Sequence, residues 1–263
     1  MSWPTYIKAS TAWHAAMGAG ALTMPAALPW WLGGIAANHL VITGASMTPR
    51  SRVLGPNITR LPQVLARDGQ VSLTFDDGPD PQVTPRVLDL LDSANASATF
   101  FCVGDRIVEF PDLAREIVAR GHTIQNHTQT HSHRFAFRGS NGFRHEIASA
   151  QKTIAEVVGQ TPVLLRAPAG MRNPFLQPVL NELNLALISW TRRGFDTRER
   201  DEHKVMSRLT RNLAGGDILL LHDGNAAKTV NGQPIVLAVL PKLLAQLNEH
   251  GLRSVSLNKQ VFA

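Results

Sequence analysis

The chain has 263 residues, enough for one catalytic domain with a large core, and its 26 basic and 20 acidic residues give a net charge of +6. One cysteine, Cys102, excludes a disulfide framework within a monomer, and it reads as a buried thiol in the apolar run "ATFFCVG". Scattered basic residues and a single tyrosine give no support to nucleic-acid binding; the positive balance permits an anionic partner, such as a phosphate or lipid headgroup, without demanding one.

The N-terminal segment comes first and stands apart. Between Lys8 and Arg50 there is no Asp, Glu, Lys or Arg, and four of the five tryptophans fall at Trp3, Trp13, Trp30 and Trp31. The run is too long for a signal-peptide core and is broken by Pro25 and Pro29. It predicts two short helices, over residues 11–27 and 30–47, joined by a Pro/Trp turn. Such a hairpin serves either as a membrane or interfacial anchor, with tryptophans at its ends and turn, or as a pair of helices packed on the domain or on a partner. In the anchor reading Lys8, Arg50, Arg52 and Arg60 lie on one side, which puts the catalytic domain on the cytoplasmic face of an inner membrane. A soluble cytoplasmic protein is the alternative. Residues 1–62 then form the hairpin and a polar linker, and residues 63–263 the catalytic domain.

From Val71 the pattern alternates between strand and helix. The strands are "VSLTF", "SATFFCV", "HTIQNH", "VLLRAPAG", "LALISW", "DILLLHD" and "LRSVSL". Between them lie helical stretches such as "VTPRVLDLLDSAN", "FRHEIASAQKTIAEVVG" and "PIVLAVLPKLLAQLNEHG". Repeated βα units mean parallel strands with helical crossovers, and about seven of them predict an α/β fold, a distorted (β/α) barrel. In such barrels chemistry collects at the C-terminal strand ends.

The polar motifs fall there. "LTFDDGPD" ends a strand in two adjacent carboxylates, Asp76 and Asp77. Adjacent residues on an extended chain point apart, so a turn at the strand end can give the two different work. One can ligate a metal while the other stays free as a general base. Alone, the motif is equally a solvated strand-to-turn cap. His127 and His131 in "NHTQTH" have ordinary zinc-ligand spacing, and on a helical turn they would share a face. Two histidines and one aspartate leave positions open for water and substrate, the arrangement of a catalytic metal site.

"TFDDGP", "HTQTH", "RAPAG" and "LLHD", in this order and at these separations, resemble the polysaccharide deacetylase family of metal-dependent carbohydrate esterases, from about Val71 to Leu257. The resemblance implies Asp76 as general base, with Asp77, His127 and His131 on one divalent ion, zinc first, cobalt or nickel as alternatives. It implies Arg166 as the partner of Asp76, Pro168 as the residue shaping that loop, and the Ala169 N–H as an oxyanion donor. His222 becomes the acid that protonates the leaving amine, and Leu220 lines the acyl-methyl pocket. Relatives often carry Tyr where Ala169 stands. Many also carry an Asp-x-x-Asp-Trp pattern that, matched from Trp190, puts Arg193 at the first aspartate, Asp196 at the second and Thr197 at the tryptophan. The first aspartate tunes the catalytic histidine in the family, so the partner of His222 is open here between Asp196 and Asp223. Arg192 and Arg193 either line a solvated loop or, through Arg193, read an anionic group on the substrate.

The implied function is metal-dependent removal of an N-acyl group, acetyl or formyl, from an amino sugar of an oligosaccharide, polysaccharide or lipid-linked glycan. Trp190, Arg193, Asp196, Pro168, Ala169 and Leu220 are its candidate substrate contacts. The alternatives are hydrolysis of a non-sugar amide or cyclic imide, and an inert membrane-tethered carbohydrate-binding protein.

Overall fold

The computed structural model describes residues 3–262. Two helices, α1 (Thr5–Thr23) and α2 (Leu28–Met47), pack antiparallel as the expected hairpin. The first helix lies some residues earlier than its predicted span. Pro4 stands at its N-cap, and Pro25 pulls Met24 out of helical geometry at φ −132°, ψ 67°. A polar seam joins the helices: Tyr6 Oη donates to Asn38 Oδ1 at 2.8 Å, and Asn38 Nδ2 to Ser10 Oγ at 2.6 Å. Among the described residues no helix is long and apolar enough to cross a membrane. Leu22, Met24, Trp30 and Leu40 nonetheless lie exposed on the hairpin.

A short helix α3 (Gln63–Arg67) leads into the sheet. Its strands are β1 (Gln70–Asp76), β2 (Ala98–Cys102), β3 (Thr123–Asn126), β4 (Leu164–Leu165), β5 (Ala186–Leu187), β6 (Arg192–Arg193) and β7 (Ile218–His222). They run β5-β4-β3-β2-β1-β7-β6, all neighbours parallel, and a further strand β8 (Arg253–Ser254) pairs with β1. The helices α4 (Thr84–Ser93), α5 (Gly104–Glu109), α6 (Pro111–Ala119), α7 (Ser140–Val158), α8 (Leu176–Glu182), α9 (Glu202–Thr210) and α10 (Ile235–Glu249) flank the curled sheet. The strand β6 escaped the sequence pattern because it is two arginines long.

Alternation along the strands sorts the chemistry. Val71, Leu73 and Phe75 of β1, Phe100 and Cys102 of β2, and Leu219 and Leu221 of β7 enter the core beneath the helices. Their neighbours Ser72, Thr74, Asp76, Phe101, Leu220 and His222 therefore face the barrel interior. Asp76 stands in register with both Phe101 and His222, so a carboxylate and an imidazole emerge side by side at the same strand ends.

The barrel is open between β5 and β6, and the stretch before α3 covers the gap. Ile58 N–H donates to Leu187 O at 2.9 Å, and Ser189 N–H donates to Ile58 O at 2.8 Å. Arg60 and Arg192 both pair with buried Asp217, at 2.8 and 2.9 Å. Ile58→Pro removes one of these donors and leaves Leu187 O unmatched. A loss of about 1–3 kcal/mol is expected, read as a fall in Tm of several degrees; an unchanged Tm would show that this stitch carries no stability.

Candidate active site

The site is built on the end of β1. Asp76 continues the strand and points inward, whereas Asp77 adopts φ 73° and turns off it. This left-handed turn gives the adjacent carboxylates separate surroundings. Close approach of backbone secures it: side-chain carbons at Gly78 and Gly224 would run into the Asp223 carboxylate and the Asp77 carbonyl.

Asp76 belongs to an arginine. Arg166 is fully buried, and its Nη1 donates to Asp76 Oδ1 at 2.6 Å and to Thr74 Oγ1 at 2.8 Å. Its Nη2 donates to Ser189 O at 3.0 Å, and the guanidinium lies 4.0 Å over the Phe101 ring. A buried cation held on three sides cannot be an ordinary surface arginine. The pair fixes one carboxylate oxygen and leaves the other available to the cleft.

Asp77 belongs to the histidines. Its Oδ1 lies 3.2 Å from His127 Nε2 and 3.1 Å from His131 Nε2, and the three ligand atoms all fall within 4.8 Å of one another. His127 Nδ1 sits 2.8 Å from the Arg166 carbonyl, which only accepts, so Nδ1 carries the proton and Nε2 presents a lone pair to Asp77. Asp77 Oδ1 is itself buried and accepts no hydrogen bond. With the imidazole neutral, two acceptors face each other at this distance, and a metal cation between them relieves that. In its absence a second proton does, since burial opposes the imidazolium but Asp76 and Asp77 raise the His127 pKa against it. First-row ions bonded at about 2.0–2.2 Å bring such atoms to about 3.4 Å apart, so the donor set fits a zinc-like ion. Without one, burial opposes the Asp77 charge, but His127, His222 and His131 together hold its pKa well below the ordinary carboxylate value.

The two histidines meet in a way the spacing did not foresee. Residues 127–131 form a loop rather than a helical turn, with Thr128 at φ 69° and His131 at φ 49°. Asn126 Oδ1 accepts from Thr128 N at 2.8 Å, and Thr128 Oγ1 from His131 N at 3.1 Å. Buried Glu146 on α7 accepts from Thr130 N and Oγ1 and from Arg138 Nη2. No motif marked Glu146; it lies in a helix whose pattern reads only as amphipathic. Asn126, directly before the histidine, was visible but unremarked.

His222 takes Asp196. The carboxylate accepts from His222 N at 2.7 Å through Oδ2 and faces Nδ1 at 2.9 Å through Oδ1. Asp196 is fully buried behind the imidazole, so it is not a substrate contact. Asp223 is engaged elsewhere, accepting from Thr84 Oγ1 at 2.6 Å, and burial pushes its pKa up to about 7 despite that bond. Burial alone would lower the His222 pKa, but Asp196, then Asp76 and Asp77, lift it to about 9. A cation on Asp77 and the histidines would draw it back.

The remaining candidates line the opening. Pro168 is buried and Ala169 exposed, the latter at φ 54°, ψ 7° with its N–H donating to no protein acceptor among the described residues. Leu220 and Trp190 share an inner cluster with Phe101 and Ile188, the wall on that side. Arg193 faces inward from β6 opposite Leu220, half-buried, while Arg192 points away to Asp217; neither lines a solvated loop. The chemistry assembled here is a carboxylate held by a cation, an Asp/His/His set that could hold a metal ion, an imidazole with a carboxylate behind it, and a free backbone N–H.

The polysaccharide deacetylase family model matches residues 65–188. A peptidoglycan-N-acetylglucosamine deacetylase of Bacillus cereus is 33% identical over 192 residues, covering 72% of this chain and 86% of the relative. The chain belongs to the polysaccharide deacetylase family. A chitooligosaccharide deacetylase of Azorhizobium caulinodans is 33% identical over 163 residues, 62% of this chain and 77% of its own. Among solved structures, a family 4 carbohydrate esterase from Streptomyces lividans in complex with acetate superposes with a TM-score of 0.65 at 31% identity, covering 73% of this chain and 95% of that one. The family is one of metal-dependent carbohydrate N-deacetylases, and Asp77, His127 and His131 supply a set that fits that dependence.

The Asp196–His222 pair gives a pH signature in the metal-free protein. The folded His222 pKa is raised, so its stabilisation is complete below the ordinary imidazole value of 6.5 and is lost as pH rises through about 9. Asp196→Asn is expected to flatten the fall of Tm across that window relative to the parent protein. Parallel Tm curves would contradict the pairing.

Proposed function

We propose that this chain hydrolyses the N-acyl amide of an amino sugar, acetyl first, with Asp77, His127 and His131 holding a divalent ion, zinc first and cobalt or nickel as alternatives. The observation that carries the reading is the division of two adjacent carboxylates, Asp76 to Arg166 and Asp77 to two imidazoles. When bound, such an ion polarises a carbonyl and acidifies water. Asp76 takes the proton of the attacking water. Arg166 holds one of its oxygens and so fixes the direction of the free one. The Ala169 N–H receives charge as it develops on the carbonyl oxygen. Amine is a poor leaving group, and His222, kept charged by Asp196, delivers a proton to the departing nitrogen. The products are a carboxylic acid and a free amino sugar. Leu220 and Trp190 form the apolar wall for the acyl methyl.

The hairpin belongs in the same reading. Its last residues reach the site: Ser46 O accepts from Arg172 N at 3.2 Å, and Pro49 packs against Gly170 and Trp190 beside Ala169. A hairpin with exposed apolar side chains and Lys8 as its one charge suits an anchor that holds the domain at a membrane surface. A lipid-linked glycan would then be presented directly to the cleft. Basic residues Lys8, Arg50 and Arg52 at the open end favour the cytoplasmic face, which protease accessibility in sealed vesicles tests.

Acetate and formate release decides the chemistry. The panel holds neutral N-acetylglucosamine oligomers, peptidoglycan fragments and a lipid-linked N-acyl sugar, each with zinc and with chelator. Chelator-sensitive release from at least one member is expected, strongest from the lipid-linked one when vesicles are present. Release that chelator leaves untouched would overturn the metal dependence. Metal binding with no release from any member would turn the reading toward a non-sugar amide or an inert binding protein.

A further inference from the structure

Arg193 differs from every other arginine that enters the barrel. Arg166 is paired with Asp76, and Arg172 is surrounded by the carbonyls of Ser51, Gly55 and Pro56. Arg192, its neighbour, is paired with Asp217. The Arg193 side chain makes no hydrogen bond or ion pair among the described residues; its Nε is buried without a partner, as are those of Arg166 and Arg172, but their other nitrogens are bonded. The Arg193 guanidinium lies near two rings, 5.2 Å from the Trp190 centroid and 4.9 Å from that of Phe195. The carboxylates that attract it, Asp76, Asp196 and Asp77, are already committed to Arg166, to His222 and to the metal ligands. A partly desolvated cation with open donors is costly unless an anion arrives.

Phe195 supplies a second observation. It adopts φ 61°, a conformation that bulky side chains rarely hold, and it remains 47% exposed. Strain of this kind persists where the surroundings enforce it, commonly at a functional position. Here it keeps an aromatic face at the rim, over Arg193, with Arg208 held 5.6 Å from the same ring and paired to Glu199. In register, Arg193 lies opposite Leu220, two residues before His222. The free cation therefore sits on the His222 side of the cleft, where the amino sugar must lie when its nitrogen is protonated.

We infer that Arg193 reads an oxyanion carried by the amino-sugar substrate, a phosphate ester or a carboxylate, while Phe195 packs on the sugar beside it. The inference rests on the deacetylase reading and narrows its substrate class. A planar guanidinium matches two oxygens of either group at once, and the contacts with the two rings help hold it in place. Phosphate has two sources, a lipid-linked diphosphate sugar at the anchor or a soluble sugar phosphate, and the carboxylate is that of a lactyl-ether amino sugar.

The test uses the full-length, zinc-loaded protein, with Arg193→Gln and Arg193→Lys beside the parent. Four N-acetyl substrates are compared: a neutral N-acetylglucosamine oligomer, N-acetylglucosamine 1-phosphate, N-acetylmuramic acid, and a polyprenyl-diphosphate-linked N-acetylglucosamine. For the preferred anion, Arg193→Gln is expected to raise KM about 10- to 100-fold with kcat held, to leave the neutral oligomer's KM unchanged, and to be partly rescued by Arg193→Lys. The phosphate arms separate lipid from soluble sources, and the third arm identifies carboxylate. Equal handling of neutral and anionic substrates by the parent overturns the inference. So does a substitution that weakens all four alike, which marks Arg193 as a packing residue. If nothing is turned over, the deacetylase reading fails separately, and calorimetric binding of N-acetylglucosamine 1-phosphate and N-acetylmuramic acid decides. Binding that Arg193→Gln abolishes supports the anion site; absent or unchanged binding overturns it.

Discussion

The ion pair between Arg166 and Asp76 is the constraint on which the rest of this structure depends. A guanidinium fully enclosed in the barrel is tolerated because Asp76, Thr74 and the Ser189 carbonyl accept from its two Nη atoms and the Phe101 ring covers its face. The same residue orients its neighbour, since the Arg166 carbonyl fixes the proton on His127 Nδ1. One residue thus sets the position of the free carboxylate and the tautomer of an imidazole in the candidate metal set. Removing its side chain would leave Asp76 buried without its cation, while the main-chain carbonyl that orients His127 would remain.

Backbone strain carries the same division. Of the positive-φ residues that are neither Gly nor Asn, all lie at this rim: Asp77, Thr128, His131, Ala169 and Phe195. Asparagines tolerate that region because their short polar side chains bond locally, and at Asn95, Asn184 and Asn212 they follow helix ends. Thr128, β-branched, and Phe195, bulky, do not tolerate it. Their conformations are held by Asn126 and the Glu146 network on one side and by the stacked arginines on the other. Where such geometry clusters, function is the constraint that stability does not explain.

Most of the fold and the heart of the site were legible in the sequence. The period-two alternation in "VSLTFDD" and the order of four motifs placed Asp76, Asp77, His127, His131, Arg166 and His222 at one end of a parallel sheet. What could not be read was short or long-range. Two arginines of β6 make a strand only because β7 lies beside them. Ile58 closes the barrel gap from a stretch that looks like a polar linker. The sequence left the partner of His222 open between Asp196 and Asp223, and only the fold decides it, since Asp196 meets His222 while Asp223 turns to Thr84. The loop geometry of "NHTQTH" depends on Glu146, which lies 16 residues beyond the Thr130 it binds. In the hairpin, composition announced helices but not their bounds, which Pro4 and Pro25 decide.

The most direct measurement compares Asp76→Asn and Asp77→Asn in one preparation each, scoring bound zinc per chain and acid release from the best substrate. If the two carboxylates do different work, Asp76→Asn keeps its zinc and loses turnover by about a hundredfold or more, while Asp77→Asn loses zinc and turnover together. Equal loss of zinc in both variants, or full turnover in Asp76→Asn, would contradict the division of labour on which this account stands.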